Sequence, residues 1–130
     1  MIIPESFRDL FDKPALAYVA TLMPDGSPQV TPVWIDYDGE YLLFTSVIGR
    51  VKDRNLEARP QVALVISDPD NDYRYLQVRG RVVALTTEGA NEHIDRMSFK
   101  YTGREKYAWH RSGDVRRLYK ILPEQVSTMG

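Results

Sequence analysis

Three cationic side chains, Arg50, Lys52 and Arg54, fall within the eight residues GRVKDRNL (49–56), directly after the apolar run EYLLFTSVI. A glycine turn that opens a helix presents unsatisfied backbone N–H groups and the positive end of the helix dipole, so cations on its flanks make it a ready anion site. Arg50 and Lys52 suit that role. Arg54, four positions beyond Arg50 and next to Asp53, suits local ion pairs on the helix surface, worth about 0.3 kcal/mol each. Composition by itself favours the plainer meaning, because most charge runs are solvated surface.

Other chemistry is scarce. There is no cysteine, which removes disulfides, thiolate nucleophiles, iron–sulfur clusters and cysteine-ligated zinc. His93 and His110 are the two imidazoles. His93 lies beside Ile94 in an amphipathic stretch with no H-E-x-x-H spacing, which reads as a packed side chain rather than a metal ligand. His110, in KYAWHRSGD, shares a loop with Tyr107, Trp109 and Arg111, a group suited either to a ligand or to a neighbouring subunit. Neither G-x-x-x-x-G-K-[ST], G-x-G-x-x-G nor G-x-S-x-G occurs. The DPDNDYR segment (68–74) lacks the glycine and the terminal glutamate of a calcium loop and reads as a polar hairpin turn.

The elements that must position these residues follow from periodicity. With 130 residues, 43% of them hydrophobic and 27% charged, the chain forms a single domain over 1–130 with one core. A net charge of -1 gives no whole-molecule attraction to nucleic acid or to an anionic membrane. The N-terminus has neither the basic start nor the apolar stretch of a secretory signal, so a cytoplasmic location is expected.

PESFRDLFDKP predicts a short helix with Phe7, Leu10 and Phe11 inward, stopped by Pro14. ALAYVATL, QVTPVWIDYD and EYLLFTS predict three strands, the last two joined by an Asp-Gly hairpin with positive φ at both turn residues. RVKDRNLEARP predicts a helix with Val51 and Leu56 inward. QVALVIS and YRYLQVRGRVVALT predict two further strands, the second bent or bulged at Gly80. TEGANEHIDRMSFKY predicts a helix with Ala90, Ile94, Met97 and Tyr101 on one stripe, Thr87 as N-cap and Gly103 past its end. VRRLYKILP closes the chain as a strand. About six strands with short helices indicate a small barrel with helices over its openings.

The order of these segments resembles the split β-barrel flavin- and deazaflavin-binding superfamily that includes pyridoxamine 5'-phosphate oxidases, and within it the branch of oxidoreductases that use coenzyme F420. The likeness runs from AYVATLMPDGSPQVTPVW through EHIDRMSFKYTG and is strongest over TPVW, FTS, GRVKDRNL and VRGRV. It implies a mainly β fold, a six-stranded antiparallel split β-barrel. It also implies a homodimer with the cofactor in a groove at the subunit interface. Arg50 and Lys52 match the positions expected at the cofactor phosphate, with Val51 between them and Arg54 and Asn55 weaker matches. Thr31, Pro32, Val33 and Trp34 match the strand expected along the ring, and Thr45 and Ser46 the end of the next strand. Pro32 independently places its strand at an edge, because proline cannot donate to a central ladder.

Tyr75, Gln77 and Arg79 either line the groove or form a half-exposed sheet face. The resemblance implies hydride transfer between F420 and a small unsaturated substrate, with no protein nucleophile required. FMN is the alternative cofactor, since both carry a phosphate at the corresponding place. A flavin- or deazaflavin-binding protein without turnover and a single-strand nucleic-acid barrel stand as non-enzyme readings; the near-neutral charge weighs against the latter.

Overall fold

A computed structural model describes residues 2–130. A 3-10 helix (Glu5–Phe11) leads into β1 (Ala17–Leu22), β2 (Pro28–Val33), β3 (Asp36–Tyr37) and β4 (Leu42–Val47). Then come α1 (Val51–Ala58), β5 (Gln61–Asp68), β6 (Asn71–Thr86), α2 (Ala90–Thr102) and β7 (Arg116–Met129). The strands form one sheet in the order β2-β1-β5-β6-β7-β4-β3, antiparallel at every pairing.

The sheet has seven strands where the sequence suggested six. The QVTPVWIDYD run does not stay continuous: it is divided at Trp34 and Ile35 into β2, which pairs with β1, and β3, which pairs with β4. The cause lies at Ile35, whose side chain is fully buried. Its N–H donates to the Tyr101 hydroxyl at 3.1 Å and its carbonyl accepts from Lys100 Nζ at 2.7 Å, so neither group is free for a ladder.

That short break dictates the overall shape. β2 and β3 are the two edges of the sheet, yet a link of two residues lets Val33 and Asp36 lie no more than about 11 Å apart. The sheet must therefore roll until its edges approach each other. Gly80 helps it to do so: the β6–β7 register shifts between Arg79 and Gly80, and a Cβ there would lie 2.1 Å from the Leu122 carbonyl oxygen. Only glycine allows that backbone approach. Inside the roll, Phe7, Leu10 and Phe11 of the 3-10 helix pack with Val19, Phe44, Ile66, Leu76, Val78, Tyr119 and Ile121. Burying each large apolar side chain stabilises the fold by about 1.5–3 kcal/mol.

Two local expectations are corrected. The Asp-Gly hairpin forms, but Gly39 alone takes positive φ (98°), and Asp38 instead accepts the Glu40 and Tyr41 N–H groups on its carboxylate at 2.9 and 2.7 Å. This side-chain turn makes the mirror-image backbone unnecessary. Helix α2 starts after Gly89 with no side-chain cap, and Thr87 contributes its carbonyl to the Ala90 N–H rather than its hydroxyl. Gly103 closes the helix at φ 80°, as expected.

The polar turn after β5 anchors the N-terminal helix. Asp68, almost wholly buried, accepts the Asp70 N–H at 2.9 Å, Arg74 Nη1 at 2.8 Å and Lys13 Nζ at 3.1 Å, while Arg74 also grips Asp9 at 2.7 Å. The Asp70 amide, reinforced by Arg74, holds the Asp68 carboxyl at about 2, against an ordinary value of 3.8. A carboxylate depressed in this way contributes stability above about pH 4 that is lost as pH falls towards 2. Asp68→Asn is expected to flatten that part of the acid-unfolding profile, and an unchanged acid limb in circular dichroism would contradict the assignment.

No helix among the described residues is long and apolar enough to cross a membrane, and no group of three or more His, Asp or Glu among them converges as a metal site.

Candidate functional site

Where the rolled edges meet, a cleft of about 270 Å³ opens. β2 and the link after it supply Pro32, Val33 and Trp34; β4 supplies Thr45 and Ser46; the start of α1 supplies Arg50 and Lys52. Ile94 and Met97 of α2, Tyr107 and Trp109 of the following loop, Arg116 at the start of β7 and Leu16 before β1 complete the wall. Seven of the nine residues singled out in the sequence thus come together. Thr31 and Val51 do not line the cleft: Thr31 precedes Pro32 on β2, and Val51 is half-buried between the two cations. Pro32 is on an edge strand, as its missing N–H requires.

The turn that carries the cations is held from behind. Gly49 reverses the chain at φ 99°, and its N–H donates to Asp53 Oδ2 at 3.0 Å. Asp53 is almost wholly buried, and its other oxygen accepts a short hydrogen bond from the Tyr119 hydroxyl and one from Arg117 Nη1 at 3.3 Å. Arg117 is shared with Glu57 Oε2 at 2.8 Å. Burial and the Asp53 hydrogen bond push the Tyr119 phenol far above its usual range, so it stays a donor.

The first bond inside α1 runs from the Arg54 N–H to the Arg50 carbonyl, so the amides of Val51, Lys52 and Asp53 precede the helical ladder and point out of its N-terminus. Gly49's amide is already spent on Asp53, which narrows the cradle to those three amides and the two side chains. Lys52 is half-buried; burial, with Arg50 as a like-charged neighbour, lowers its ammonium below the ordinary lysine range. A partly desolvated cation beside a second cation is stabilised by an anion.

Several side chains fall elsewhere. Arg54 is exposed and is not part of the cleft. Asn55 is buried behind α1, donating to Thr21 Oγ1 at 3.0 Å, and so fastens the helix to β1 instead of facing a ligand. Tyr75, Gln77 and Arg79 alternate with buried Leu76 and Val78 and face outward from β6. Arg79 borders a larger hollow of about 540 Å³ with Gln61, Gly80, Glu124 and Gln125. Arg79 is already hydrogen-bonded to Gln125 there. His93 is buried with Nε2 3.2 Å from Asp36 Oδ2, the packed role its surroundings suggested. His110 lies outside the cleft, in a small depression with Tyr107 and Asn91.

Sequence reasoning missed Arg116. Its guanidinium is 5% exposed, donates from Nη1 to Thr45 Oγ1 at 3.1 Å and lies over the Tyr107 ring at 4.8 Å. Nε and Nη2 have no partner, nor does the buried Ser46 hydroxyl. The signal was available: two residues before buried Leu118 on a strand, Arg116 shares its inward face. The aromatic wall is also a connected group. Trp34 stacks on Tyr101 at 5.2 Å and meets Tyr107 edge-on at 5.8 Å, and Trp109 meets Trp34 and Tyr107 at 6.3 and 5.7 Å.

With unspent cationic donors at two places and flat apolar walls between them, the cleft fits a planar ligand with a phosphate or similar anion at one end. The family profile described as pyridoxamine 5'-phosphate oxidase matches residues 3–130. A solved F420 reductase is 35% identical, with 96% of this chain and 98% of that chain covered and a TM-score of 0.83. A conserved hypothetical protein from Mycobacterium tuberculosis shares the fold at 20% identity, covering 99% and 86% of the two chains with a TM-score of 0.75. HupZ from Group A Streptococcus does so at 20% identity, covering 97% and 93% with a TM-score of 0.70. No curated protein sequence matches the chain. The match spans the strands, both helices and the cleft alike, and the chain belongs to the pyridoxamine 5'-phosphate oxidase family.

Proposed function

We propose that the chain is an oxidoreductase that binds coenzyme F420 in this cleft and passes hydride between it and a small unsaturated organic molecule. The observation that carries the reading is the convergence of Arg50 and Lys52 with the Pro32–Trp34 and Thr45–Ser46 strand ends in one concavity. The choice of F420 over FMN draws on the similarity to the F420 reductase. When bound, the deazaflavin supplies a hydride-carrying ring carbon, so no protein nucleophile is needed. Arg50, Lys52 and the first amides of α1 bind the phosphate with charge-assisted hydrogen bonds. Pro32, Val33 and Trp34 on one side and Thr45 and Ser46 on the other orient the ring, and the Trp34, Tyr107 and Trp109 rings exclude water from the reacting face.

The working unit in this reading is a homodimer. At about 270 Å³ the cleft is slightly smaller than sites that enclose a whole drug-sized ligand, roughly 300–1,000 Å³, and a second copy would extend its wall. Tyr18, Val30, Val83 and Leu85 are exposed apolar side chains on the sheet that such a copy would cover. The near-neutral charge weighs against nucleic acid or an anionic membrane as partner, and a small-molecule substrate in a cytoplasmic setting completes the reading.

Fluorescence titration of the purified protein with F420 and, separately, with FMN tests the reading. F420 is expected to bind at least about tenfold more tightly, a difference of about 1.4 kcal/mol. Tighter binding of FMN would transfer the site to the flavin alternative, and binding of neither would reject both.

A further inference from the structure

The phosphate end accounts for Arg50 and Lys52 but leaves Arg116 unexplained. Its side chain is 5% exposed, and no carboxylate among the described residues pairs with it. A buried guanidinium with two unpartnered nitrogens is costly for the fold alone. The Tyr107 ring, 4.8 Å from Arg116 Cζ, stabilises the charge but accepts none of those N–H groups in plane. The Ser46 hydroxyl, also buried and unpartnered, lies on the opposite face of β4, with Arg117 and Tyr119, and takes no part. The unpartnered Nε and Nη2, side by side on the guanidinium, match a carboxylate or carbonyl oxygen in the plane of a flat molecule. The Trp34, Tyr107 and Trp109 rings provide apolar faces for the rest of such a molecule.

We propose that Arg116 is the acceptor subsite of the cleft, anchoring the carboxylate or carbonyl oxygen of a planar conjugated substrate packed against Trp34, Tyr107 and Trp109. The proposal rests on the cofactor reading above, since it assigns the half of the cleft that the phosphate and its ring leave to the substrate. A ring carbonyl of the cofactor has the same chemistry as the proposed ligand, so the test must separate the two.

The probe is trans-cinnamate, with cinnamyl alcohol as its uncharged counterpart, titrated calorimetrically into the full chain with excess inorganic phosphate to occupy Arg50 and Lys52. Cinnamate is expected to bind at least about tenfold more tightly than the alcohol and to weaken at least about tenfold in Arg116→Gln. Arg116→Lys keeps the charge without the fork and is expected to recover part of that loss. That partial recovery separates loss of the contact from misfolding of Arg116→Gln. F420 affinity, measured on the same variants, is expected to change by less than about threefold.

Unchanged cinnamate affinity in Arg116→Gln would overturn the proposal while leaving the cofactor reading intact. A fall in F420 affinity as large as that for cinnamate would overturn it too, by giving Arg116 to the cofactor ring. Arg116-dependent cinnamate binding by a protein that fails to bind F420 would support the subsite and reject the cofactor reading.

Discussion

Replacing either Arg50 or Lys52 with alanine is expected to weaken F420 binding at least about tenfold, and replacing both at least about a hundredfold. The two side chains flank the first turn of α1, beside amides that precede its hydrogen-bond ladder, and each supplies a charge-assisted contact, Arg50 from an exposed position and Lys52 from a partly desolvated one. Lys52 adds a pH signature. Its ammonium is held below the ordinary lysine range by burial and by Arg50, and a bound phosphate would draw it back up. The affinity is therefore full while Lys52 is protonated and declines as pH rises through its lowered value. Lys52→Arg, which stays charged, is expected to remove that alkaline decline. Equal affinities for wild type and both alanine variants would show that the basic turn is solvated surface after all.

Asp53→Ala is expected to be the most destabilising single change near the cleft, costing about 3–5 kcal/mol. The buried carboxylate accepts from Gly49, Tyr119 and Arg117 together, so its removal strands a phenol and the amide that fixes the turn and leaves Arg117 with Glu57 alone. A chain of this size would lose roughly 10 °C or more in melting temperature. Tyr119→Phe removes one hydroxyl from the same group and is expected to cost about 1–2 kcal/mol. F420 affinity should fall in Asp53→Ala even where the protein is still folded, because the spacing of Arg50 and Lys52 depends on that turn. Thermal denaturation followed by circular dichroism checks the first effect; a melting temperature within a few degrees of wild type would contradict the role given to Asp53.

Much of this architecture was legible because period and punctuation act locally. Phe7, Leu10 and Phe11 mark their buried face by spacing, Gly80 marks the bulge, and Gly103 marks the end of α2. The division of β2 from β3 was not legible, because the groups that intercept Ile35 are Lys100 and Tyr101, some 65 residues away in sequence. Nothing near Trp34 announces them. The basic turn was readable as an anion site, yet its meaning depended on which strands would face it, a question of topology. Asp53 read as part of the helix surface and Asn55 as a weaker match at the phosphate, yet both are buried, since their partners Tyr119, Arg117, Thr21 and Gly49 come mostly from other elements. Arg116 escaped notice for a related reason: a charged residue at the start of a strand is ordinarily exposed, and it is the Tyr107 ring of the loop after α2 that lies over it.

A crystal structure of the protein with F420 bound is the most direct test. The account places the phosphate within hydrogen-bond distance of Arg50 and Lys52, and the deazaflavin ring along Pro32–Trp34 and Thr45–Ser46. A cofactor lodged instead in the larger hollow beside Arg79 and Gln125, with Arg50 and Lys52 left in solvent, would contradict it.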